Sequence, residues 1–347
     1  MDIKEYFSVA LKSKASDLHL IAGNRPTVRI KGTLEIVEDR TLDPKELESA
    51  IFSLMKPEDV TVFEKEKELD FALEIANGHF RVNLHQQEGQ IGVSARVIPE
   101  QIPTPKEIDF DETIYQLSHL NQGLILVTGP SGTGKSTTLA VLINLINTER
   151  RAHIITIEDP VEYIYKENQS IIEQRELGRD THSFHEALKR ALRQDPNVIM
   201  VGEMRDLETV SATLTAAETG HLVLSTLHTN TAAETIQRIV DMFPAHRQQQ
   251  ILGQLASVLR AVICQQMLPR KEGGVIVARE IMINTPAIAN LIREGKIAHI
   301  GSAMQTGRSE GMVTMRSSIK QLHEQGVISK QVYLNRTGSV DNLNTYY

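Results

Sequence analysis

Along this chain, runs of apolar residues of two kinds take turns. From about Asp111 onward, short apolar runs alternate with stretches of helical period. Leu124-Ile-Leu-Val127 reads as a buried strand, and Leu139, Leu142, Ile143 and Ile146 then recur at i, i+3, i+4 and i+7, the mark of a helix with one buried face. His153 to Asp159 is the next apolar strand and ends in acids. Ser183 to Gln194 carries Phe184, Ala187, Leu188 and Leu192 on one helical face, and Val198-Ile-Met-Val201 returns to strand. Thr209 to Thr219 is a helix stopped by Gly220, and His221 to Thr229 is a further buried strand. Thr231 to Phe243 and His246 to Leu268 read as helices joined by Pro244. Val275–Ala278 and Glu280–Ile283 return to strand character. Thr285 to Gly295 is a helix with Thr as N-cap and Pro at its first position, and Met312 to Gln325 is the last strong helix. Beyond Gly326 the signal fades, and the polar tail Asn335 to Tyr347 is expected to be loosely ordered. Strand and helix in alternation predict an α/β fold with a parallel sheet covered by helices.

The first hundred residues follow another rule. Ser16–Leu20 and Val28–Ile30 are strand candidates, and Pro44 to Phe63 is an amphipathic helical region. His79–His85 and Ile91–Ile98 alternate as paired strands do, with Glu88-Gly89 as the turn between them. A two-residue turn there pairs Gln87 with Gln90 and sets Arg81 directly opposite Arg96. Like charges so placed are destabilising, so an anion supplied from elsewhere would relieve them; two solvated arginines on an exposed face is the alternative. Pro99, Pro103 and Pro105 form a proline cluster that favours extended backbone. The organisation expected is a small α+β domain over 1–98, a proline-rich linker over 99–110 and an α/β domain over 111–347.

Between the first strand and helix of the second domain lies Gly129-Pro130-Ser131-Gly132-Thr133-Gly134-Lys135-Ser136, which fits G-x-x-x-x-G-K-[ST]. Glycines let the backbone turn N–H groups inward, and the following helix N-terminus adds partial positive charge for a phosphate. Lys135 would reach the β- and γ-phosphates of ATP and the Ser136 hydroxyl would sit on Mg²⁺. In open parallel sheets active groups gather at the carboxyl ends of strands, which places Glu158, Asp159 and Glu162 well. Glu203, after an apolar strand, stands where a Mg²⁺-organising acid is expected. His228, at another strand end, is a candidate γ-phosphate sensor, and His221 less so.

Composition narrows the class. The 347 residues are 41% hydrophobic and 23% charged, ordinary globular values with room for two cores. A net charge of −7, no Trp and 4% aromatics weigh against a chain whose main task is gripping nucleic acid. The single cysteine, Cys264, rules out an internal disulfide or a multi-cysteine zinc site, and reads as a small buried hydrophobe. No segment approaches the apolar run of a membrane span, and Met-Asp-Ile-Lys-Glu-Tyr carries no secretion signal, so a soluble cytoplasmic protein is expected.

The chain resembles the retraction ATPases of bacterial type IV pili, within the secretion ATPase superfamily. The stretches that carry the resemblance are Ala15–Leu20, Gly129–Ser136, Ile157–Glu162, Gly202–Glu208 and Thr215–Thr229. It implies a PAS-like first domain, a RecA-like second domain and a homohexameric ring that hydrolyses ATP with Mg²⁺ to power pilus retraction and twitching motility. By the same resemblance Glu162 is the general base, Glu203 the Walker B acid and His221 and His228 the histidine box. Arg81 and Arg96 are the first-domain arginines that approach the phosphates. The partner implied is a platform protein of the inner membrane, with the ring peripheral at its cytoplasmic face. In the late helix, Ala287-Ile-Ala-Asn-Leu-Ile-Arg-Glu294 has Ala289 where retraction motors have Arg, so an accessory retraction paralogue stays open. A RecA-like nucleic-acid translocase is the alternative from another class.

Overall fold

A computed structural model describes residues 2–30, 32–99 and 101–338. The chain divides into two compact units. The first holds the chain up to Gln101 together with Pro160–Ile164, and the second holds residues 102–159 and the chain from Tyr165 onward.

The first unit runs α1 (Ile3–Lys12), β1 (Asp17–Ile21), β2 (Thr27–Ile30), β3 (Thr33–Ile36), α2 (Pro44–Phe52), α3 (Pro57–Glu66), β4 (Glu68–Ile75), β5 (Gly78–Gln87) and β6 (Gln90–Ile98). The single helical region expected over Pro44–Phe63 is two helices, because Pro57 cannot continue a hydrogen-bonded ladder and instead opens α3. Its strands form one antiparallel sheet in the order β3-β2-β1-β6-β5-β4. Leu18, Leu20, Phe80, Val82, Leu84, Val93 and Ala95 are fully buried in one core with Phe7 and Leu47, while the alternate residues are polar. The turn Glu88-Gly89 has positive φ at both positions, and Gln87 pairs with Gln90 and Arg81 with Arg96 as expected. Strands β3 and β4 are additional to those expected from the sequence; Thr33-Leu34-Glu35-Ile36 does alternate, but it is four residues long and all four are exposed, so its apolar side covers no core.

The second unit runs α4 (Glu112–Leu117), β7 (Gly123–Thr128), α5 (Lys135–Glu149), β8 (His153–Glu158), β9 (Ile171–Glu176), α6 (Phe184–Ala191), β10 (Val198–Val201), α7 (Leu207–Glu218), β11 (Leu222–Leu227), α8 (Ala232–Asp241), α9 (Ala245–Val258), β12 (Leu259–Pro269), β13 (Val275–Ile283), α10 (Pro286–Arg293), α11 (Ile300–Thr306), α12 (Met315–Glu324) and α13 (Lys330–Thr337). Its sheet has the order β13-β12-β7-β11-β10-β8-β9 and is parallel except for β13. The central parallel strands β7, β8, β10 and β11 are buried on both faces and read as largely apolar runs, whereas the edge strand β9 is partly exposed.

One expectation here is corrected. The helix read over His246–Leu268 ends at Val258, and Leu259–Pro269 is strand β12, laid parallel to β7. Leu259 and Ala261 to Cys264 are fully buried against both faces of the sheet, where a run of this kind is as good a strand as a helix. The expected loose tail starts as helix, since α13 takes in Asn335–Thr337; residues 339–347 lie outside the described residues. Cys264 is buried, as its apolar setting suggested, and burial pushes its thiol pKa well up.

Candidate functional site

Three neighbouring strands, β7, β11 and β10, run in parallel and end at one edge. After β7 the chain enters Gly129, whose φ is +142° and whose added Cβ would lie 2.4 Å from the Gln265 carbonyl oxygen, so only glycine fits. The Gly129 N–H donates to the Leu227 carbonyl, tying the loop to the tip of β11. Thr133 closes the loop through its hydroxyl onto Pro130 O at 2.8 Å, and Gly134, also at positive φ, caps α5. Lys135 is the first residue of that helix and is buried. Its ammonium donates to the carbonyls of Gly129 (2.8 Å) and Pro130 (3.1 Å), so the charge is held over the loop mouth.

The tips of β10 and β11 are stitched together by side chains. Ser225 donates to Val201 O at 2.8 Å and Thr226 to Gly202 O at 2.6 Å, while the Met204 N–H returns to Thr226 O. This fixes Glu203 beside His228. The His228 Nε2 lies 3.2 Å from Glu203 Oε1, and its Nδ1 lies 3.5 Å from Lys135 Nζ. An ammonium can only donate, so Nδ1 accepts and the ring proton sits on Nε2, facing the carboxylate. Through these two contacts His228 spans Lys135 and Glu203. The other Glu203 oxygen accepts from Arg205 Nε at 2.9 Å, and Arg205 also reaches Asp159 at 3.3 Å. The hydrogen bond to Glu203 is the main reason the Arg205 guanidinium is pushed above its ordinary pKa, although partial burial opposes it. Arg205 was not foreseen as a site residue; its signal in the sequence is an arginine two places after a strand-tip acid.

The remaining candidates fall elsewhere. Glu158 is buried and accepts from Thr156 (2.6 Å) and Gln174 (3.3 Å), which marks it as part of the β8–β9 support. His221 precedes β11, a six-residue strand whose far end carries His228, so the two rings are separated by about 20 Å of strand. Its Nδ1 donates to Ala216 O at 2.9 Å, at the end of α7. Ser131 and Gly132 are exposed at the loop tip, and Ser136 is half-buried one residue into α5. Glu162 is exposed in Pro160–Ile164, the segment grouped with the first unit.

In that unit, Arg29, Asp17, Arg96 and Arg81 stand in one row across β2, β1, β6 and β5. The sheet itself supplies an anion on one side of Arg96, between it and Arg29, and, among the described residues, none between Arg96 and Arg81. Asp17 accepts from Arg96 Nε at 2.9 Å and lies 3.9 Å from Arg29. Burial would raise the Asp17 pKa, but hydrogen bonds from Ser16 and Arg96 outweigh it and hold the carboxyl below its usual range. Among the described residues Arg81 makes no ion pair.

Comparison with known proteins points one way. The family model described as "Type II/IV secretion system protein" matches residues 1–273. The chain is similar to the type IV pilus retraction ATPase PilT of Pseudomonas aeruginosa, at 45% identity over 95% of this chain and 96% of the relative. It is also similar to the type IV pilus ATPase PilU of the same organism, at 36% identity over 99% and 90% of the two chains. A crystal structure of the pilus retraction motor PilT with bound ADP superposes with a TM-score of 0.92, at 43% identity and 99% coverage of both chains.

Proposed function

This chain belongs to the type II/IV secretion system protein family and is an ATPase; from that premise we propose that it works as a hexameric motor for type IV pilus retraction. The observation that carries the reading is the cluster Lys135–His228–Glu203, gathered from three strand tips against a phosphate-binding loop. The identity to a retraction ATPase exceeds that to PilU, which favours retraction over an accessory role despite Ala289.

Chemically, water attacks the γ-phosphorus of ATP, the new P–O bond forms and the bond to the β–γ bridging oxygen breaks. ADP and phosphate leave. Lys135 and the loop N–H groups hold the phosphates, and Glu162 takes up the proton that the water loses. Ser136 and Glu203 are oxygen donors of the kind Mg²⁺ accepts. Among the described residues no group of three or more His, Cys, Asp or Glu forms a cage, which suits an ion that shares its ligands with phosphate and water. The ion, when bound, neutralises charge on the phosphate oxygens. Arg205 and His228 orient the Glu203 carboxylate, and Arg81 and Arg96 supply positive charge to the phosphates.

Among the described residues no helix is long and apolar enough to cross a membrane. We place the motor in the cytoplasm, docked on an inner-membrane platform protein. Cells lacking the gene should extend pili that fail to shorten, and a Lys135→Ala copy should not restore shortening. Normal shortening in the deletion strain would refute the assignment.

A further inference from the structure

Behind the phosphate loop, away from the cluster just described, two buried polar side chains stand opposite each other on the paired strands β12 and β13: Gln265 and Arg279. Gln265 is 1% exposed and Arg279 7%. Buried groups of this kind are costly unless every hydrogen-bonding atom finds a partner. Here they do. Arg279 Nε lies 3.2 Å from the Gln265 amide; since a guanidinium only donates, the amide atom facing it is the oxygen. That oxygen also accepts from Thr138 Oγ1 at 2.7 Å, and the amide nitrogen donates to the Gly134 carbonyl at 3.3 Å. Gly134 caps α5 and immediately precedes Lys135 and Ser136. The backbone of Gln265 meanwhile abuts Gly129, so one residue braces both ends of the loop.

The far side of Arg279 faces the segment that follows the proline cluster. Its Nη1 donates to Asp109 O at 2.8 Å and its Nη2 to Ile108 O at 2.7 Å, and the Phe110 ring centroid lies 5.8 Å from the guanidinium carbon. Burial pulls the guanidinium pKa below its ordinary value, opposed by the carboxylates of Asp111 and Asp109. Asp109 is itself held by Arg270 at 3.1 Å. Beside this segment lies a cavity of about 240 Å³, bordered by Asp109, Asp111, Arg270, Arg279, Ser318 and Gln321, which leaves it room to shift.

We propose that Gln265 and Arg279 are positioning residues that tie the phosphate loop to the Ile108–Asp111 segment, so that nucleotide in the loop and the conformation of that segment are coupled. The relay is short: loop carbonyl, amide, guanidinium, segment carbonyls. A planar fork is what lets one side chain bridge two backbone carbonyls and an amide at once, and lysine cannot reproduce it. The inference takes the phosphate-binding role of Gly129–Ser136 as given.

Hydrogen–deuterium exchange of the full chain, with and without saturating ADP, tests it. In the parent, ADP should slow exchange of amides over 104–112 by about fivefold or more. Arg279→Lys keeps the charge and Gln265→Leu keeps the buried volume. Both should still bind ADP, because Lys135 and the loop N–H groups are intact, but should lose the ADP response over 104–112. If Arg279→Lys does not fold, Gln265→Leu carries the test, with a thermal melt as the fold control. An unchanged ADP response in the variants, none in the parent, or folded variants that no longer take ADP would overturn the coupling. A parent that binds no ADP would overturn the phosphate-loop assignment on which it rests.

Discussion

The two units gather charge by different geometric rules. In the first, an antiparallel sheet with one polar face sets Arg29, Asp17, Arg96 and Arg81 in a row, one residue per strand. Alternation and register alone decide that row, and its charges are only partly balanced on the spot: one carboxylate lies between two of the three arginines. In the second, a parallel sheet brings the ends of β7, β11 and β10 to one edge, and the residues that meet there come from loops far apart in sequence. Lys135, His228, Glu203, Arg205 and Asp159 form a chain of alternating donors and acceptors. The row is a property of a surface, whereas the cluster is a property of topology. That is why the second arrangement can close around a ligand's charge while the first presents a field.

Whether the first unit also takes part in chemistry is the sharpest question this contrast raises. Glu162→Gln should lower kcat by about 10²–10⁴-fold, and Arg96→Ala or Arg81→Ala by up to about 10³-fold, the lower end for charge supplied to phosphates. Nucleotide affinity measured by titration should change far less. Parental rates in these variants would confine catalysis to the second unit.

Within the second unit, Glu203→Gln should cost about 10²-fold or more in phosphate release. His228→Ala, which frees the carboxylate it holds, should cost about tenfold. His221→Ala, acting from the other end of β11, should fall below both. Equal losses at the two histidines would break the assignment of the cluster to one strand edge.

The next effect is on stability. Glu280 is a buried carboxylate that accepts from Ala232 N (2.8 Å) and Met315 N (3.1 Å), so it serves the first turns of both α8 and α12. Losing two such caps costs about 2 kcal/mol, and Glu280→Ala should lower the melting temperature by about 5 °C on that basis. The smallest effect belongs to the arginine row. Asp17→Asn should cost about 0.5 kcal/mol at neutral pH, a figure typical of half-exposed pairs. Because the folded Asp17 pKa is depressed, its contribution is fully present above the ordinary carboxylate range and is lost as pH falls through the folded value. The two proteins should therefore converge in acid melts. A gap that widened in acid would contradict the pairing.

Much of this was legible in the sequence, for definite reasons. The phosphate loop is a local motif whose glycines answer to local sterics. The Arg81–Arg96 register followed from a two-residue turn, and the strand-tip acids followed from apolar runs that end in carboxylates. What escaped reading depends on partners distant in the chain. Nothing near Arg96 announces Asp17, 79 residues away. Strand β12 was hidden because an apolar run buried on both sides has no period of its own, and with it went Gln265, Arg279 and Glu280, whose roles exist only once β12 and β13 are paired.

Phosphate release from MgATP by the purified full chain, with and without added DNA and beside a Lys135→Ala control, bears most directly on the central claim. The account predicts release by the parent that DNA does not change and that falls by about a hundredfold or more in the control. Release at the parental rate by Lys135→Ala, or release that requires DNA, would contradict it.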